Sequence, residues 1–111
     1  MAVKNENRVR PNPIPIRLKE ARKRKGLSQR ELGIRTGMDE NVASARMNQY
    51  EKGKHAPDIE ILRSIAKELD VPLSYFFCDD ETSAEIVKQL NKLSNDDRES
   101  ILKIILEKVK D

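Results

Sequence analysis

The sequence predicts an all-α fold, on three observations. Ile59, Leu62, Ile65, Ala66 and Leu69 recur at the roughly 3.6-residue period of an amphipathic helix. Helix-start and helix-stop residues follow one another along the chain: Ser28 with Glu31 three positions on, Asp58 ahead of the apolar period, and Gly26, Gly37 and Gly53 behind helical stretches. Strand-like alternation and internal repeats are not visible. The 111 residues suit one small domain with a modest core plus terminal appendages, and are too few for two independent cores.

Residues 1–13, rich in proline and asparagine and without apolar periodicity, read as a flexible basic N-terminal arm. Ile14, Leu18 and Ala21 then share one face of a first helix over about 15–25, stopped by Gly26 after a Lys/Arg-rich last turn. Ser28 caps a second, two-turn helix that runs from Gln29 toward Gly37, with Glu31 closing a capping box. After the polar stretch "MDENVAS", a third helix is expected over about 45–52, capped by Ser44, with Met47 and Tyr50 on one face. Asp39 is the competing cap, which would start a longer helix at Glu40. The loop "GKHAPD" leads to a fourth helix over 59–69, capped by Asp58 and ended by the proline of "DVPLSYFF". Leu73, Phe76 and Phe77 of that segment form a short helical turn that closes the core.

Residues 14–78 thus make one domain, and residues 79–111 a helical extension. The acidic "CDDET" links the two. Ile86, Val87, Leu90 and Leu93 give a short amphipathic helix, and "SNDDRESILKIILEKVKD" a longer one capped by Ser94 or Asn95. In the last helix Ile101, Leu102, Ile104, Ile105, Leu106 and Val109 cover more than one narrow stripe. Such a helix calls for burial on two sides, against its own domain and against a second copy, so the extension is a candidate dimerisation segment.

Net charge +3 conceals an asymmetry. Residues 1–35 hold 11 Lys/Arg against 3 Asp/Glu, and residues 36–111 hold 11 against 16. The basic part clusters in "RLKEARKRKG", with Arg17, Lys19, Arg22, Lys23, Arg24 and Lys25 close together; a polyanion is the natural partner, although a solvated lysine-rich helix has the same charge. No apolar run approaches the length of a membrane span and the N-terminus has no secretory h-region, so a cytoplasmic protein without a membrane partner is expected. The single cysteine, Cys78, excludes an internal disulfide framework and a zinc pair. An enzyme is not expected either. His55 and Cys78 lie in different segments, and no Ser/His/Asp set, phosphate-binding glycine loop or HExxH pattern occurs. Neither cofactor, metal nor small-molecule ligand is implied.

A short helix, a glycine turn and another short helix between longer amphipathic helices is the layout of a helix-turn-helix. Here "LKEARKRKGLSQRELGIRTGM" and "NQYEKGKHAPDIEILRSIAKELDVPLSYFF" resemble the Cro/C1-type helix-turn-helix repressors, the XRE family, over about 17–77. The "GLSQ.EL", "YEKG...P" and "IAKELDVPLSYFF" blocks carry the resemblance, in order and sensibly spaced. It implies a five-helix lambda-repressor-like domain and sequence-specific binding of double-stranded DNA. Two departures stand out. Gly33 replaces the family's usual alanine, at a cost of roughly 1 kcal/mol of helix propensity. Gly37 lies fourteen residues before Glu51 where the family has ten, so four residues are inserted before or at the front of the third helix.

Counted backward from Glu51, Ser44, Ala45, Asn48 and Gln49 resemble the family's base-facing positions, and Arg46 is suited to guanine or to a phosphate. Gln29 resembles the phosphate-clamping glutamine, and Lys52 and Lys54 are further phosphate partners. Arg22 and Glu51 resemble a structural ion pair between the first and third helices, leaving Lys19, Lys23 and Lys25 for the DNA backbone. Arg8 and Arg10 of the arm are candidates for an adjacent minor groove, against the plainer reading of a flexible tail. The expected function is a nucleoid-associated transcription regulator, a repressor that binds a near-palindromic operator as a homodimer. The alternatives are an antitoxin of a toxin–antitoxin pair and a protein-interaction adaptor on the same fold.

Overall fold

Asn12 and Pro13 start the first helix: the Asn12 side-chain oxygen accepts the Ile14 amide at 3.0 Å, and a proline within the first turn loses no internal hydrogen bond. The computed structural model describes residues 11–110, in which helix α1 (Ile14–Arg24) is followed by α2 (Gln29–Arg35), α3 (Ala43–Glu51), α4 (Ile59–Leu69), a 3-10 turn (Leu73–Phe77), α5 (Glu81–Leu90) and α6 (Asn95–Lys108). Among the described residues there is no strand, as an all-α protein requires. The candidate minor-groove residues Arg8 and Arg10 lie outside them.

The Ser28 hydroxyl accepts the Glu31 amide at 2.9 Å, and the Glu31 carboxylate accepts the Ser28 amide at 2.8 Å, which completes the capping box of α2. The same amide bond, with the hydroxyl's help, holds the Glu31 carboxyl below its ordinary pKa. Gly37, at φ +97°, turns the chain away after α2 while the Met38 amide closes back on the Gly33 carbonyl at 2.9 Å.

The entrance to α3 differs from the sequence expectation. Neither Ser44 nor Asp39 is the cap, and the helix covers Ala43–Glu51 instead of 45–52. The Asp39 carbonyl accepts the amides of Val42 and Ala43, both at 3.0 Å, and its carboxylate accepts the Asn41 amide at 2.8 Å. This turn takes up the amides of Asn41, Val42 and Ala43 and leads the chain into α3 without a capping side chain. Val42 occupies the N-cap position without a side-chain bond, and Ser44 lies inside the first turn.

α4 starts as expected, with the Asp58 carboxylate accepting the Ile61 amide at 2.9 Å. It ends two residues before Pro72, at Asp70, which takes the left-handed conformation (φ 56°) that aspartate tolerates better than most side chains. Leu18, Leu32, Met47, Leu62, Ile65, Tyr75 and Phe76 fill the centre, with the Tyr75 and Phe76 rings edge to face, centroids 5.7 Å apart. Phe77, expected in the core, is about half exposed.

α5 is fastened to the core. Ala84 is buried and Val87 packs against the cluster, while Arg17 reaches from α1 to the Cys78 carbonyl (2.9 Å) and to both oxygens of Glu81 (3.1 Å each). Glu20 accepts from Arg17 at 2.7 Å and from the Tyr75 hydroxyl at 2.8 Å, so one network joins α1, the 3-10 turn and α5. α6 is capped by Ser94, whose hydroxyl accepts the Asp97 amide at 3.1 Å. It buries no residue.

Candidate nucleic-acid interface

Ala43, Met47 and Tyr50 fall at helical spacing and are all buried, which fixes the face that α3 presents to its own domain. The opposite side follows from the same period. Ser44, Ala45 and Arg46 are exposed, and Asn48 and Gln49 are half-buried at its margin. Lys52 and Lys54, just beyond the helix, are exposed, as are Lys19, Lys23 and Lys25 on α1.

α2 and α3 make the most extensive contact in the molecule, and Gly33 is what lets them meet. A Cβ built on Gly33 would stand 2.7 Å from the Ala43 Cβ and 3.1 Å from its backbone. The departure from alanine therefore goes with Ala43 at the start of the shifted third helix: a methyl on one side leaves room only for hydrogen on the other.

At the other end of α3, Arg22 binds both oxygens of Glu51, Nε at 2.5 Å and Nη2 at 3.0 Å, and its Nη1 donates to the Leu27 carbonyl at 2.8 Å. The Glu51 side chain is 3% exposed, so this pair is shielded from solvent and ties α1, the turn after it and α3 together. Gln29, on the first turn of α2, donates its Nε2 to Glu51 at 3.0 Å and to the Asn48 Oδ1 at 3.2 Å. A carboxylate only accepts, so the Gln29 nitrogen must face Glu51, and Asn48 must present its oxygen to that nitrogen. The structure thus brings Arg22, Glu51, Gln29 and Asn48 into one network. Ser44, Ala45, Arg46, Lys52 and Lys54 stand apart from it.

Two features escaped the sequence. Arg17, grouped there with a basic surface, is 3% exposed and bonded to two carboxylates and a carbonyl; its signal was present, since position 17 shares the stripe of Ile14, Leu18 and Ala21. The link from Gln29 to Asn48 spans nineteen positions and left no local signal. His55 lines a shallow cleft with Arg46, Gln49, Tyr50 and Ala56. Among the described residues no cluster suited to a metal ion occurs, and no helix is long and apolar enough to cross a membrane.

A helix-turn-helix family model matches residues 18–76. Two uncharacterized HTH-type transcriptional regulators, of Sinorhizobium medicae and of Rhizobium meliloti, are each 36% identical to this chain over 78 residues, covering 67% of it. The chain spans about half the length of these curated relatives, 53% of each. The crystal structure of the transcriptional regulator BswR superposes with a TM-score of 0.78 at 38% identity, covering 85% of this chain and 93% of that one. The similarity to BswR therefore extends beyond the segment that the family model matches.

Proposed function

Because this chain belongs to the Cro/C1-type family of helix-turn-helix transcriptional regulators, we propose that it is a repressor that binds a near-palindromic operator as a homodimer. One α3 from each copy enters the major groove. The observation that carries the reading is the outward side of α3: a row of small, amide and guanidinium side chains on a helix whose other side is locked into the core.

Ser44, Ala45, Arg46, Asn48 and Gln49 are the base contacts in this reading. Ala45 touches a thymine methyl, Arg46 pairs with guanine, and the amides bind base edges. Asn48 has its oxygen turned to Gln29 and its Nδ2 left to donate, which favours acceptors such as guanine N7 and O6 or thymine O4 on the base opposite. Lys52, Lys54 and Gln29 hold phosphates, Gln29 through its backbone amide at the start of α2 because both of its side-chain N–H groups already donate to Glu51 and Asn48, and Arg22 and Glu51 hold α3 at its angle. The C-terminal extension supplies the contact between copies, because α6 exposes Leu102, Ile104, Ile105, Leu106 and Val109. Its place of work is then the nucleoid.

Footprinting on the DNA flanking the protein's own gene, at physiological salt, tests this. Protection of a discrete site is expected. Asn48→Ala and Gln49→Ala should each weaken that site by about 1–3 kcal/mol while leaving nonspecific binding intact. Lys52→Ala and Lys54→Ala should weaken all sequences alike and each reduce the salt slope by about 1. Equal losses on every sequence for all four variants would remove the assignment of base contacts.

A further inference from the structure

We propose that two copies pair through α6 in antiparallel orientation, the second half of each α6 covering the groove between α5 and α6 of the other. This rests on the homodimer reading above and adds its surface and its direction. The two halves of α6 differ. Arg98 donates to the carbonyls of Leu90 (3.3 Å) and Leu93 (2.9 Å), pinning the first turns to the end of α5. Beside that anchor lies an apolar groove lined by Ile86, Leu90, Leu93 and Ile101, with Glu85 and Gln89 at its rim. Beyond it the helix projects, and Leu102, Ile105, Leu106 and Val109 remain 45% to 67% exposed. Each copy thus has an open apolar groove and an uncovered apolar rod, and a twofold axis sets the one against the other reciprocally.

The charges select the direction. At about 100° per residue, Ile101, Leu102, Ile105, Leu106 and Val109 fall within an arc of about 140°. Asp97 and Lys108 lie along one edge of that arc. Glu99 and Lys110, the latter just past the last turn, lie along the other. In each edge pair the acid comes first and the base about three turns later. In an antiparallel pair each edge faces its own copy, so Asp97 meets the partner's Lys108 and Glu99 meets the partner's Lys110. The register midway between those two pairings sets Leu102 opposite the partner's Ile105 and leaves each ion pair offset by about 3 Å along the axis, within reach of lysine side chains, so the apolar and ionic centres coincide. A parallel pair instead sets Asp97 beside the partner's Glu99 and Lys108 beside the partner's Lys110, repulsion at both ends.

Sedimentation equilibrium of the full chain at low salt, for the wild type and for Lys108→Asp, tests the pairing. Lys108→Asp sets a second carboxylate against Asp97, twice per antiparallel dimer, and should raise the dimer Kd about threefold or more. In a parallel dimer it relieves a repulsion, so an unchanged or lower Kd overturns the proposal. A second readout is disulfide trapping in a Cys78→Ser background. Val109→Cys should give no disulfide dimer, because two copies of that position are far more than 7 Å apart across the axis. Ready self-crosslinking of Val109→Cys would contradict the antiparallel arrangement while leaving the homodimer intact. A wild-type chain that sediments as a monomer would remove both.

Discussion

Gly33 is the position where two local preferences conflict and packing decides. Alanine in its place would favour the helix by about 1 kcal/mol, yet the added methyl would stand 2.7 Å from the Cβ of Ala43, a side chain with no freedom to move aside. Overpacking of this kind typically costs about 1–3 kcal/mol. Gly33→Ala is therefore expected to lower the urea midpoint, and Gly33→Ala with Ala43→Gly to recover most of the loss. A single variant more stable than the wild type would show that the close approach of α2 and α3 is no constraint. The identity of position 33 was legible in the sequence as a departure from the family, but its reason was not. It depends on Ala43 being the first residue of α3, and that in turn on the turn made by Asp39. The ion pair of Arg22 with Glu51 was legible only through the family, since twenty-nine positions separate the two.

Elements whose ends are set by side chains within three positions were readable in advance: α2 with its capping box, α4 with Asp58, and α6 once Ser94 is preferred to Asn95. The start of α3 was not, because a turn in which the Asp39 carbonyl accepts the Val42 and Ala43 amides leads into it without a side-chain cap. Nor was the seam between α1, the 3-10 turn and α5 readable, although it governs how the extension is attached. Burial alone pushes the Glu20 carboxyl up, but hydrogen bonds from Arg17 and Tyr75 outweigh it, and its pKa lies below the ordinary value. A carboxyl lowered in the folded state contributes stability above its unfolded pKa, and that contribution is lost as pH falls through the lower folded value. The Tyr75 hydroxyl, desolvated and donating to Glu20, is shifted upward. Glu20→Gln should therefore be less stable than the wild type at pH 7, and the two stabilities should converge as pH is lowered through the ordinary glutamate value of 4.5 and below it in denaturant titrations. A constant difference across that range would mean that Glu20 does not titrate with folding.

The chain as a whole joins a tightly packed helix-turn-helix to an α6 with no buried residue, and the two parts meet through α5. The first was legible from three short blocks of sequence. For the second the apolar excess was visible, but not which half of α6 is anchored and which is free. In the proposed assembly two such chains, joined by their extensions, read a symmetric site through paired copies of α3. Selection of DNA bound by the full chain from a random pool, at physiological salt, probes the pairing and the reading together. The expected outcome is a near-palindrome whose half-sites lie about 10 base pairs apart, or a multiple of that. Recovery of a single unrepeated half-site, or of no enriched sequence, would contradict it.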